Sequence, residues 1–122
     1  MKRDGLTRVR AIVKKMPDVE EGLTFGWPAF KVKGVLFAWF PQKKEVEPNT
    51  LAARMSVLER DFRIKAEPEL FYVTPHYVGY TSILARPDKM SDKALQELLE
   101  SSYEYLVAEA KRKKAVRRKA KH

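Results

Sequence analysis

Residues 23–40 read LTFGWPAFKVKGVLFAWF. Two runs rich in β-branched and aromatic residues, LTFGWPAFKV and VLFAWF, flank Lys33-Gly34, and a glycine there supplies a tight-turn position. The stretch therefore predicts a pair of strands. Pro28 has no N–H to give to a ladder, so its strand is expected at a sheet edge, or bulged there. VLFAWF is apolar throughout and reads as an inner strand covered on at least one face. Side chains alternate along a strand, which puts Phe25 and Trp27 on one face and Gly26, Pro28 and Phe30 on the other. Trp27 is the aromatic expected nearer solvent.

Upstream, Leu6, Val9, Ile12, Val13 and Met16 recur at helical spacing, with Asp4 or Thr7 placed to cap the start and Pro17 to end it. Asp18 to Glu21 are expected to form an acidic turn. Downstream, PQKKEVEPNT reads as a polar, proline-flanked loop or protruding hairpin. LAARMSVLERDF reads either as one short helix or as a strand leading into a helix, with a strand near Leu51–Met55 followed by a helical turn the preferred reading. Leu70–Val73 and Thr81–Arg86 read as two more strands, joined by TPHYVGY. Ser91 is an N-cap with Asp92 in the first turn, where the helix dipole favours an anion. Leu95, Leu98, Leu99, Ser102, Leu106 and Ala110 then form one apolar stripe. Strands between two terminal helices predict an α+β fold of two layers, an antiparallel sheet packed against an N-terminal and a long C-terminal helix.

Composition narrows the function. A chain of 122 residues, 44% of them apolar, fits one folded domain. It has no cysteine, which excludes disulfides and thiolate metal sites. No apolar run approaches the roughly 20 residues that cross a bilayer. MKRDGLTRVR carries charge but no apolar run of the secretory kind, so a cytoplasmic protein without membrane contact is expected.

The formal net charge of +9 is unevenly spread. The last twelve residues, KRKKAVRRKAKH, hold eight Lys/Arg and no acid. Residues 17–110 hold eleven basic residues against fifteen acids, so the body is mildly acidic. A domain over residues 1–110 with a basic extension over 111–122 is the expected organisation. Like charges at i,i+4, such as Lys114 and Arg118, repel, so the free extension is expected to fray or be disordered and to order against phosphates. It has no Trp, Phe or Leu to bury in a lipid surface. Its nucleic-acid-binding candidates are Lys111, Arg112, Lys113, Lys114, Arg117, Arg118, Lys119 and Lys121.

FYVTPHYVGY, residues 71–80, holds His76, the chain's one histidine besides His122. An imidazole suits general-base or ligand chemistry, but either needs partners, and no H-x-x-x-H, D-x-D or G-x-S-x-G pattern supplies them. His76 is expected to be structural, packed on Tyr77 and bonded to a backbone carbonyl. Trp27 or Phe30 in FGWPAF offers a stacking platform, set against the plainer reading of aromatics filling the core. Glu20-Glu21, and Glu45 with Glu47, read as solvated acids rather than an acid/base pair. No catalytic residue, metal or cofactor is expected, and no enzyme activity.

PDVEEGLTFGWPAFKVKGVLFAWF, FYVTPHYVGYTSILAR and LQELLESSYEYLV together resemble the MmcQ/YjbR-like family of small bacterial proteins. The resemblance runs over nearly the whole chain to about Val107, and Gly26, Pro28, Ala29, Phe30, Thr74, Pro75, His76 and Tyr77 carry it. It implies a CyaY-like α+β fold and a double-wing type of DNA binding, and it transfers no catalytic role. The chain departs from the family pattern at Ser82, where many relatives carry tryptophan, and in its basic extension. The expected function is weak, largely sequence-independent DNA binding through that extension, helped by Lys43 and Lys44 in the loop. The alternative is a module without a nucleic-acid role, binding a small ligand or a protein in a cleft near Trp27, His76 and Tyr77.

Overall fold

Two mirror-image turns set the order of the first three strands. In the computed structural model, which describes residues 4–120, Phe25-Gly26 and Lys33-Gly34 all have positive φ (52°, 79°, 49° and 82°). Consecutive positive φ values give the turn whose twist matches that of the flanking strands. They join β1 (Val19–Thr24), β2 (Trp27–Val32) and β3 (Val35–Trp39) into an antiparallel meander. Chain order then runs β4 (Leu51–Arg54), α2 (Val57–Ala66), β5 (Phe71–Tyr72) and β6 (Ser82–Ala85), with α1 (Gly5–Val13) before the sheet and α3 (Asp92–Ala120) after it. The sheet has six strands in the order β1-β2-β3-β4-β6-β5, every neighbouring pair antiparallel. The fold is α+β, as the pattern of strands between terminal helices predicts.

Several expectations are corrected. Asp18–Glu21 is not a free turn: Val19, Glu20 and Glu21 pair with Val32, Lys31 and Phe30. Its four middle residues, Glu20 to Leu23, are exposed and Glu21 pairs with Arg10 of α1, so this edge strand shows no apolar alternation. Pro28 accordingly lies on an inner strand. Its carbonyl accepts from the Phe40 N–H at 3.0 Å, so the bond its nitrogen cannot make falls beyond the last residue of β3. The ladder irregularity sits further on, where Phe30 pairs with Ala38 but Lys31 with Leu36, leaving Phe37 as a bulge. The helical turn after β4 is a full helix, α2, capped by Ser56 accepting from the Glu59 N–H at 3.1 Å. The strand expected over Leu70–Val73 shortens to Phe71–Tyr72.

Alternation divides the sheet into two faces. Phe30, Val32, Ala53, Ile83 and Ala85 face the helices and pack with Val9 and Val13 of α1 and Leu95, Leu98, Leu99 and Leu106 of α3. Ser102 is fully buried there and donates to the Phe37 carbonyl at 3.0 Å, fixing α3 against the bulge. Ala110, counted in the stripe on spacing, is exposed. Trp27, Ala29, Trp39, Ala52 and Leu84 share the opposite face, where no helix packs. Loop residues cover it: Val46 from the segment 40–50, and Tyr77 from the segment 73–81.

Candidate functional site

Each covering loop is pinned by an arginine. Glu47 accepts a two-pronged pair from Arg86, at 2.9 Å from Nε and 2.7 Å from the terminal nitrogen. The same guanidinium lies over the Tyr72 ring, whose hydroxyl accepts from the Glu47 N–H and bonds the Thr50 hydroxyl. Arg60 of α2 pins the other loop, donating to the Val78 carbonyl at 3.0 Å and the Tyr80 carbonyl at 3.2 Å. Both loops are therefore held at the ends of long side chains rather than in ladders.

Between the pinned loops and the tip of the β1–β2 hairpin lies a cleft of about 510 Å³. Trp27, Trp39, Tyr77 and Tyr80 supply its rings, Leu36 and Ser82 line it, and Lys43 and Arg54 are its cations. Trp39 and Tyr77 stand 6.5 Å apart, tilted by 38°. The structure thus gathers Trp27, His76 and Tyr77 around one opening, and adds Trp39, Arg54 and Tyr80, which local sequence reasoning missed. Trp39 arrives through its pairing with Ala52, and Arg54 through its pairing with Ser82. Neither carries a local signal. A slightly larger hollow of about 540 Å³ lies beside the 40–50 loop, lined by Pro28, Pro41, Pro48, Asp4 and Gln42 among others, and its Glu47 is committed to Arg86.

His76 is exposed, not buried. Its ring meets Tyr77 edge-on at 5.0 Å, as expected, but Nε2 bonds the Lys43 ammonium at 2.8 Å rather than a backbone carbonyl. With an ammonium as donor, Nε2 is the acceptor, which fixes its tautomer. The contact bridges the two loops across the cleft mouth. Burial pushes the Tyr77 hydroxyl above its ordinary range, so it is a neutral group at physiological pH. Phe30, the other platform candidate, is fully buried against the helices and cannot stack a ligand.

The basic residues form a second feature. α3 continues without a break through Ala120, and residues 111–119 are exposed. Arg112 pairs with Glu109 at 3.0 Å and holds that carboxyl below its ordinary value. Lys111, Lys113, Lys114, Arg117, Arg118 and Lys119 project from the same rod, whereas Lys121 lies outside the described residues. Lys111, Lys113 and Lys114 line a groove of about 360 Å³ with Lys33 and Arg54. Arg54 therefore borders both the groove and the aromatic cleft. Among the described residues, no group of three or more His, Asp or Glu is placed to hold a metal, and no helix is long and apolar enough to cross a membrane.

No curated protein and no solved structure matches the chain. A family model described as YjbR matches residues 14–105. The match takes in the sheet, both pinned loops and most of the docked part of α3, and leaves α1, Leu106 and the basic extension outside. On a match over well more than half its length, the chain belongs to the YjbR family.

Proposed function

We propose that this protein is a binding protein rather than an enzyme, and that it holds DNA weakly and without reading its sequence. The supporting observation is the exposed basic rod of residues 111–119, which contains seven Lys/Arg and no acid. Its charges surround the helix axis, so the rod tracks phosphates and offers no single face for a groove. Lys44 is exposed in the 40–50 loop as a further cation, while Lys43 is engaged by His76. Among the described residues, the contacts of His76 are a lysine and two tyrosine rings, and none of them is the partner acid that a general base uses.

The test is duplex binding at two salt concentrations. Engagement of half the extension's basic residues gives a log–log salt slope of about −3 to −4. Removing residues 111–122 abolishes most of that slope. So does changing Lys113, Lys114, Arg117, Arg118 and Lys119 to Gln at full length, which leaves the docked part of α3 untouched. An unchanged slope in both variants would place binding on the body and overturn the reading.

A further inference from the structure

Both tryptophans of the chain line the cleft on the open face of the sheet. Opposite them stand Tyr77 and Tyr80, 6.1 Å apart, so the cleft has aromatic walls on two sides. Ser82 forms part of its lining; its side chain is buried, and its hydroxyl has no hydrogen-bond partner among the described residues. A lone hydroxyl in a desolvated lining is a cost that a ligand's polar edge removes.

Phe25 gives an independent sign. It sits at the hairpin tip with φ 52°, is 87% exposed, and meets Trp27 at 5.6 Å. A left-handed turn position favours Gly, Asn or Asp, and a large exposed ring there gains little from burial. Backbone strain of this kind gathers at binding sites. Here it places a ring on the cleft rim.

Charge identifies the occupant. Lys43 lies at one side of the rings and Arg54 at another. Past Arg54 the positive potential continues along the groove of Lys33, Lys111, Lys113 and Lys114. Glu109, the acid in that groove, is already neutralised by Arg112. A lone aromatic acid would use one cation. A line of cations leading away from a cluster of rings matches a base followed by phosphates.

We propose that the cleft binds a nucleobase carrying phosphate, as a free mononucleotide or as an unpaired nucleotide of a single strand. The base stacks on Trp27, Trp39 and Tyr77 with its edge toward Ser82, and the phosphate lies against Arg54. This stands on the cleft and does not require the extension to bind duplex DNA.

Tryptophan emission reads this site alone, because the chain has no tryptophan elsewhere. The full chain is titrated with the four ribonucleoside 5′-monophosphates, with ribose 5-phosphate, and with a thymidine decamer. Saturable quenching by at least one monophosphate or by the decamer, without quenching by ribose 5-phosphate, is the expected result. Trp27→Leu weakens the response, read from Trp39, by about tenfold. Arg54→Gln weakens it by a similar factor, and melting curves of both variants check that they fold. A decamer bound tenfold or more tightly than any monophosphate makes a single strand the ligand, and equal affinities make it a mononucleotide. Retained quenching after Arg117, Arg118 and Lys119 are changed to Gln, which leaves the groove lysines Lys111, Lys113 and Lys114 in place, separates this site from the phosphate rod. Absence of quenching by every monophosphate and the decamer, or equal quenching by ribose 5-phosphate, would overturn the proposal.

Discussion

The guanidinium of Arg60 lies beneath the loop that carries Tyr80 and donates to that residue's carbonyl at 3.2 Å. The side chain is 3% exposed, yet its carboxylate partner, Asp61, is 61% exposed. The buried charge is thus satisfied mainly by backbone carbonyls of the 73–81 loop, with Val78 at 3.0 Å. Arg60 holds in place one wall of the aromatic cleft.

Arg60→Met keeps the stem and removes the donors. Loss of charge-assisted bonds to carbonyls that stay partly buried is expected to cost roughly 3 kcal/mol. Thermal melting checks the magnitude, and hydrogen exchange in segment 73–81 checks the cause. Lysine at this position recovers part of the loss, because it supplies charge without the planar fork. A variant melting with wild type would show that the loop is held by its aromatic packing instead.

The other loop is expected to respond to acid. The hydrogen bond from Arg86 holds the Glu47 carboxyl below its ordinary value of 4.5, and the bond from Arg10 does the same for Glu21. A depressed folded-state value contributes stability above the unfolded value, lost as pH falls through the folded one. Stability contributed by these pairs is therefore flat at neutral pH and declines below about pH 4.5. Glu47 is largely exposed, so Glu47→Gln is expected to cost under about 1 kcal/mol at pH 7 and to flatten part of the acid decline. Melting curves at pH 7, 5 and 3 measure both effects.

What was legible in the sequence followed local chemistry. Lys33-Gly34 announced its turn because glycine adopts positive φ freely, and Ser91 announced α3, where its hydroxyl accepts from the Ala94 N–H at 3.1 Å. Phe25-Gly26 uses the same backbone but was hidden inside an apolar run, so β1 merged with β2 and Pro28 seemed to lie on an edge. Arg60 gave no sign of burial, because an arginine on a short amphipathic helix is ordinarily solvated. Of the cleft, Trp27, His76 and Tyr77 could be named from aromatic density. Trp39 and Arg54 reach it only through pairing across β3, β4 and β6, which local periodicity does not encode.

Phe25 separates turn strain from ring contact. Phe25→Asn relieves the left-handed backbone but loses the packing on Trp27, whereas Phe25→Leu loses the ring and keeps the strain. The asparagine variant is expected to be more stable than the leucine variant by about 1 kcal/mol, since a bulky residue in that region costs 1–2 kcal/mol and asparagine less. Gly26, at φ 79°, stays in both and keeps the hairpin register. Chemical denaturation of the two variants measures the difference. Quenching by nucleotides is expected to weaken in both, because each removes the ring from the cleft rim. An asparagine variant no more stable than the leucine one would show that the tip carries no strain, and Phe25 would no longer count as a sign of a binding site.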